Sequence, residues 1–359
     1  MGKHEASPGK KTPAGNGKKK HTVLWILLAV VLVLGCAAAW ILLRTPDQNR
    51  VIGTKDPNQT QQQEQPNQTP DDPQNTDTPQ DPDLVVNDPA TQGKRAMKKG
   101  YYTFLLVGTN DEYNTDTMML CSVDTANDKI NLVSVNRDTQ INTSSSNKKI
   151  NGVYGRSGVE AMCQAVTDIT GVPIHYYVVV NMESFEKLVD LIGGVEYNVP
   201  FDMYHPDRTH PNEAIDLKAG LQTLDGHKAL QFVRFRSTSE NDFGRVNRQK
   251  DFLIATLKQV MANFSLSQIQ DYIGIFNENV KTNMTVQEMI WFYVNAISGL
   301  NFDQDVVSDT IPYASTGYYK KLAYVYLDPQ TVVDYVNQYL NPYTTDLTTA
   351  DVNIPHLVD

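Results

Sequence analysis

Four arginines, Arg234, Arg236, Arg245 and Arg248, fall within FVRFRSTSENDFGRVNRQ, residues 232–249 of a chain whose 359 residues carry a formal net charge of -10. Guanidinium groups offer paired N–H donors that match phosphate oxygens, and they stay charged at any working pH. Several close together repel one another unless something anionic joins them. With the two-residue period of a strand, FVRFR puts Arg234 and Arg236 on one face, about 7 Å apart, and turns Val233 and Phe235 to the core. Asp242 stands where it can cap a long helix starting near Gly244, with Arg245 in the first turn and Arg248 and Gln249 next to it. The free N–H groups of such a start also favour an anion. The chemistry this implies is a phosphate or diphosphate cradle. Pairing with Glu240, Asp242 and Asp251 accounts for any one of these arginines but not for the set.

Two further polar stretches stand between apolar ones. SVNRD (134–138) leaves Arg137 and Asp138 at the C-terminal end of a strand, an edge where ligand sites gather. NDEYNTDT (110–117) carries Asp111, Glu112 and Asp116, oxygen donors of the kind that hold Mg²⁺, although acidic loops are common. Ser145-Ser146-Asn147-Lys148 fits the S-x-x-K signature of acyl-transfer enzymes, but it sits in a Ser-rich loop with no helical context and no K-T-G partner.

The elements that must position these groups are legible by period and punctuation. YYTFLLVG (101–108) reads as a buried strand, and TMMLCSVD (117–124) with KINLVSVN (129–136) as a hairpin turning at 125–128. Ser157 caps a helix that Gly171 stops. HYYVVVN (175–181) is a strand and MESFEKLVDLI (182–192) a helix ended by Gly193-Gly194, followed by the strand VEYNVP. Residues 201–220 read as a polar loop, LDGHKALQ as a short helix and FVRFR as a strand. Helices follow from about Gly244, near 265–277 and near 285–298, and KLAYVYLDPQTVVDYVNQYL is a closing strand and helix. This alternation predicts an α/β fold of the mixed α+β kind, a mixed sheet flanked by helices.

Composition divides the rest. Residues 1–21 are a basic tail with six lysines. Residues 22–43 carry no charge and reach about 33 Å as a helix, enough for a hydrocarbon core of about 30 Å. The preceding lysines place the N-terminus in the cytoplasm and the remainder outside, as a single-pass protein of the cell membrane in a Gram-positive type of envelope. Val33-Leu34-Gly35-Cys36 resembles a lipoprotein processing site, yet the apolar run continues beyond it. Residues 44–97 are a disordered Gln/Asn/Asp/Pro-rich linker, roughly 35–40 Å or more as a coil. Residues 98–342 form the outer globular domain and 343–359 a C-terminal tail. Cys121 and Cys163 lie in apolar patterns as small buried side chains, without a disulfide framework. Lysine enrichment is confined to the N-terminal tail and no helix-turn-helix is evident, so nucleic acid is not an expected partner.

LLVGTNDEYNTDTMMLCSVD, NLVSVNRDT, KKINGVYGRSGVEAM, LVDLIGGVEYNV, LDGHKALQFVRFR and DFGRVNRQ, in this order over roughly Lys98 to Leu340, resemble the LytR-CpsA-Psr (LCP) family. The resemblance implies a membrane-anchored phosphotransferase. It would move an anionic glycopolymer, of teichoic acid or capsular polysaccharide type, from an undecaprenyl-pyrophosphate carrier onto peptidoglycan, with pyrophosphatase as a side activity. It implies diphosphate binding by Arg137, Lys149, Arg234, Arg236, Arg245 and Gln249, catalytic roles for Arg137, Asp242 and Arg245, and Mg²⁺ or Mn²⁺ on Asp116. The lipid would lie in an apolar tunnel between sheet and helices. The family pattern has aspartate and arginine where this chain has Asn110 and Asn114, and proline where it has Asn136. Asp111, one residue on, would be the replacement metal ligand. The alternative is a protein that binds carrier lipid or anionic polymer with little or no turnover.

Overall fold

A computed structural model describes residues 45–52, 95–109, 114–206, 214–236, 241–263 and 278–355. The apolar run 22–43, Asp111 and the helix expected near 265–277 lie outside these residues. Among the described residues no helix is long and apolar enough to cross a membrane. Chain contacts separate Met1–Pro46 from Asp47–Asp359, and the account below concerns the second unit.

Its centre is a six-stranded mixed sheet in the order β10–β3–β2–β1–β4–β9. The strands are β1 (Tyr101–Thr109), β2 (Thr115–Asp124), β3 (Lys129–Ser134), β4 (Tyr176–Asn181), β9 (Val280–Thr282) and β10 (Val306–Thr310). β2 runs antiparallel to β1 and β3, while β1 pairs in parallel with β4 and β3 with β10. The carboxyl ends of β1, β3, β4 and β10 therefore share one edge, where β2 begins. The hairpin read at 125–128 is present, with Asp124 opposite Lys129.

Alternation assigns the two faces. Leu105, Val107, Met118, Leu120, Val133 and Val179 point to the side covered by α1 (Val153–Thr170) and α6 (Pro329–Tyr339), and form the largest core with Met162, Val166, Val332 and Val336. α1 breaks at Gly158, whose φ is 81°, one residue after the expected cap Ser157, and ends at Gly171 as expected. On the opposite face, Phe104 and Tyr176 join Tyr102, Trp291 and Phe292, with ring centroids such as Phe104–Phe292 4.9 Å apart. Trp291 and Phe292 come from α5 (Val286–Phe292), which Thr285 and Glu288 start with a capping box. Farther along that face lie Leu106, Gly108, Met119, Thr117, Val178 and Val180, roofed by three helices.

Those helices are α2 (Met182–Leu191), α3 (Gly226–Arg234) and α4 (Asn241–Asn263). α3 corrects the strand expected at FVRFR. Asp225 accepts a hydrogen bond from the Lys228 N–H, and Ala229 and Phe232, three residues apart, are both fully buried. That helical spacing outweighs the β-propensity of Phe-Val, and the chain becomes extended only at Phe235. The stretch 201–220 is not simply a loop. It contains β6 (Met203–His205) paired with β7 (Ile215–Leu217), and β8 (Gly220–Leu224) returns against β5 (Val195–Val199). Met203, Ile215, Leu217 and Leu224 are buried with Phe232 in a second core, which supplies the reason.

The ends of the domain are held. Residues 47–52, read from composition as linker, lie on it: the Ile52 N–H donates to Ile174 O at 2.8 Å, and Arg50 Nη1 faces Glu288 Oε1 at 3.6 Å. His175 is fully buried, and its Nδ1 accepts from the Thr103 N–H, so Nε2 donates to Gln48 O at 3.1 Å. Burial lowers its pKa to about 4. Within the expected C-terminal tail, Leu347 and Val352 are buried in the main core. Cys121 and Cys163 are free thiols raised by burial, Cys121 to about 12.

Candidate functional site

The shared carboxyl edge assembles the polar residues. The β1–β2 register shifts between Gly108 and Thr109, and Asp116 follows immediately as the second residue of β2. Arg137 comes three residues after β3 ends. Its Nη1 donates to Asp116 Oδ1, while Arg245 Nη1 lies 3.8 Å from Asp116 Oδ2. One carboxylate thus faces two guanidinium groups from separate elements. Arg137 Nε is 3.8 Å from Asp138 Oδ1, which Lys149 Nζ reaches at 2.9 Å. The Lys149 ammonium also lies 5.8 Å from the centroid of Tyr324. Arg245 is only 3 % exposed, although its element is a surface helix by composition.

Next to this network is a cavity of about 770 Å³ between the sheet face and α2, α3 and α4. Leu106, Met119, Val178 and Val180 form its floor, and Phe185, Leu188, Ile192, Phe252, Leu253 and Val260 its roof. Asp116, Thr117, Arg234, Arg236, Arg245 and Gln249 also line it, so it joins an apolar channel to a cationic mouth. The two arginines of FVRFR do converge with Arg245, but from the last residue of α3 and the extended chain beyond it.

Gln249 sits at the junction. Its Oε1 accepts from Thr117 Oγ1 at 2.9 Å and its Nε2 donates to Val233 O at 3.3 Å, tying β2, α4 and the end of α3 together. Arg248 is buried, donates from Nη2 to Phe235 O at 2.6 Å and lies over the Phe235 ring. It fixes the backbone that carries Arg236. α4 begins at Asn241, which puts Asp242 inside the first turn and corrects its expected place ahead of the helix. Of the expected residues, Arg137, Lys149, Arg245 and Asp116 are linked by ion pairs, and Arg234, Arg236 and Gln249 line the cavity with Asp116 and Arg245.

Both oxygens of Asp116 face arginines, and among the described residues no three His, Cys, Asp or Glu side chains gather as metal ligands. The described donors alone do not fit a divalent-cation site, which takes several oxygens at once. Sequence reasoning missed Thr117, a polar residue within the run TMMLCSVD that lines the cavity and donates to Gln249.

The model of the LytR_cpsA_psr family matches residues 57–341. A polyisoprenyl-teichoic acid–peptidoglycan teichoic acid transferase of Bacillus subtilis, TagV, is 29% identical over 203 residues, which are 54% of this chain and 52% of TagV's own length. The corresponding TagU of Bacillus cereus is 30% identical over 223 residues, 60% of this chain and 71% of TagU. The crystal structure of B. subtilis TagV superposes with a TM-score of 0.57 at 27% identity, over 66% of this chain and 94% of that one.

Proposed function

The chain belongs to the LytR_cpsA_psr family, and on that premise we propose that it transfers an anionic glycopolymer from a polyprenyl-pyrophosphate carrier to peptidoglycan. The observation that carries this reading is the continuity of the apolar channel with a mouth bearing Arg234, Arg236 and Arg245. A prenyl chain requires the first and a diphosphate the second. The names of TagU and TagV, polyisoprenyl-teichoic acid–peptidoglycan teichoic acid transferases, agree with it.

In the reaction an acceptor hydroxyl attacks the polymer-side phosphorus. The bond to the bridging oxygen breaks, the lipid leaves as polyprenyl monophosphate, and the hydroxyl proton passes to solvent or to a base. Such transfer is governed by positioning and by neutralising oxygen charge. Arg234, Arg236 and Arg245 hold the diphosphate at the mouth. Arg137 and Lys149 meet the transferring phosphoryl group from the β3 side. Gln249 positions the end of α3 through its tie to Val233 O. Asp242, three residues before Arg245 in the first turn of α4, is assigned to orienting that arginine rather than to the role of base. Mg²⁺ at Asp116, with Asp111 as second ligand, would have to exchange with a guanidinium group, so no step is assigned to it.

The reading also holds residues 22–43 to be a membrane anchor, with the N-terminus cytoplasmic and the domain outside, next to its lipid and peptidoglycan substrates. Asp116 engaged by two arginines and the asparagines at 110 and 114 favour a second reading, a carrier-binding protein with little turnover. One assay separates them. Full-length protein is given a polyprenyl-pyrophosphate-linked polymer and peptidoglycan, with and without Mg²⁺. Polymer bound to peptidoglycan together with released polyprenyl phosphate is expected, at a rate at least 100-fold lower in the folded Arg234→Ala/Arg236→Ala variant. Binding of the carrier without product at any metal concentration overturns the transferase reading.

A further inference from the structure

β11 (Ser315–Tyr319) and β12 (Leu322–Tyr326) form a hairpin apart from the main sheet. It is fixed beside the site: the Val325 N–H donates to Asp138 O, the Gln140 N–H to Val325 O, and the Lys148 N–H to Tyr324 Oη at 3.1 Å. Its two-residue turn is Lys320-Lys321, with φ of 46° and 65°. Such turns demand left-handed backbone at both positions and favour Asn-Gly, so two lysines are conformationally costly there. Asp128 is the one other non-glycine described residue at positive φ. Tyr318 next to the turn is 68% exposed, Leu322 40% and Tyr313 42%. Lys320 Nζ lies 5.3 Å from the centroid of Tyr319, and Tyr319 packs on Tyr324 at 6.3 Å. Exposed aromatic rings next to cations mark a surface with a ligand to meet.

The position of the hairpin selects the ligand. Starting at the cavity, Arg245 and Asp116 come first, then Arg137, Asp138, Lys149 and Tyr324. This chain of contacts has the lipid channel at one end and the hairpin at the other. In an in-line displacement the nucleophile enters opposite the leaving group, and here the leaving oxygen is on the channel side. We propose that the tip of the β11–β12 hairpin, with Tyr318, Lys320 and Lys321, docks the acceptor glycan strand of peptidoglycan. Tyrosine faces stack on the apolar faces of its sugar rings, and the lysines meet the carboxylates on its side groups. A lipid surface fits less well, because the hairpin stands at the headgroup end of the channel.

The inference rests on the transfer reading for the identity of the glycan, and its test needs no turnover. The triple variant Tyr318→Ser/Lys320→Asn/Lys321→Gly removes the docking groups but supplies a preferred turn sequence, so the hairpin stays folded. Detergent-solubilised full chain is sedimented with purified peptidoglycan sacculi stripped of attached polymer, and titrated separately with farnesyl pyrophosphate. At least a tenfold loss of sacculus binding is expected, with farnesyl pyrophosphate affinity unchanged and the thermal midpoint equal to or above that of the wild type. Peptidoglycan oligosaccharides should shield Lys320 and Lys321 from amine labelling. Absent wild-type binding to sacculi, full retention by the variant, or shielding by anionic phospholipid nanodiscs or polyglycerol phosphate instead would each overturn the proposal. Normal sacculus binding lost in the variant, in a protein that never transfers polymer, would leave the docking site standing and sink the transfer reading.

Discussion

Asp116 is the carboxylate most exposed to test, because it holds two of the arginines that a diphosphate needs. It neutralises Arg137 and Arg245 at once. A phosphate bound to the same guanidinium groups sits roughly 6 Å from the carboxylate, where two unit charges repel by about 3 kcal/mol at an effective dielectric of about 20. The Asp116 side chain is 19% exposed, and solvent screening of that kind leaves about half, or about 1.4 kcal/mol, a tenfold change in affinity. Asp116→Asn is nearly isosteric and keeps an oxygen for Arg137. Calorimetric titration of the full chain with farnesyl pyrophosphate in EDTA should therefore show about tenfold tighter binding by the variant. The gain should shrink near 1 M salt, where the Debye length is about 3 Å. Unchanged or weaker binding in EDTA would refute the electrostatic role. The same protein reports on metal: if Asp116 also takes Mg²⁺ in the reaction, stimulation of transfer by Mg²⁺ disappears while the tighter binding in EDTA remains.

Val180→Trp places an indole on the floor of the cavity and should weaken a long polyprenyl phosphate at least tenfold more than geranyl pyrophosphate, by competition binding; equal losses would show that the chain does not run along this floor. Gln249→Ala removes both ends of the tie between Thr117 and Val233 and should lower unfolding stability in urea by about 1–2 kcal/mol, whereas a residue that only touched ligand would leave the midpoint unmoved. Two buried groups oppose each other in acid. His175, lowered to about 4, costs stability as pH falls from 6.5, and Asp168, raised to about 7 by burial, loses its contribution as pH rises from 3.8. Asp168→Asn should therefore unmask a loss of about 3 kcal/mol between pH 6.5 and 4, and a flat urea-denaturation profile there would contradict a neutral, buried His175.

The convergence of the arginines was legible from charge alone, and its geometry was not. Mutual repulsion requires an anion wherever Arg234, Arg236 and Arg245 stand, on a strand or at a helix end. Their placement depended on whether Phe232 follows a two-residue or a helical period, which five residues cannot decide without Asp225 and Ala229. The sheet was readable because β1 to β4 are long apolar runs with clear turns. β10, VVSDT, has no such run, and it pairs only because β3 offers an edge. The cavity left no local trace. Leu106, Met119 and Val178 are the same residue types as Leu105, Val107 and Val179 in the packed core, and only the helices laid over each face make one set a core and the other a lining.

That last contrast bears on how the site works. A sheet with one face filled and the other half-filled keeps its strands rigid while leaving a channel, so the edge where Asp116 and Arg137 stand does not have to move to admit lipid. The roof is different. α3 ends at Arg234, and the chain beyond it is fixed to α4 by Arg248 on Phe235 O and by Gln249 on Val233 O. Any opening of the channel at this end must carry Arg234 and Arg236 with α4, because those two bonds join them to the helix that bears Arg245. The three mouth arginines therefore act as one body, held at the Asp116 carboxylate through Arg245. A diphosphate that enters meets all of them together, which is the arrangement that lowers the reorganisation cost of phosphoryl transfer.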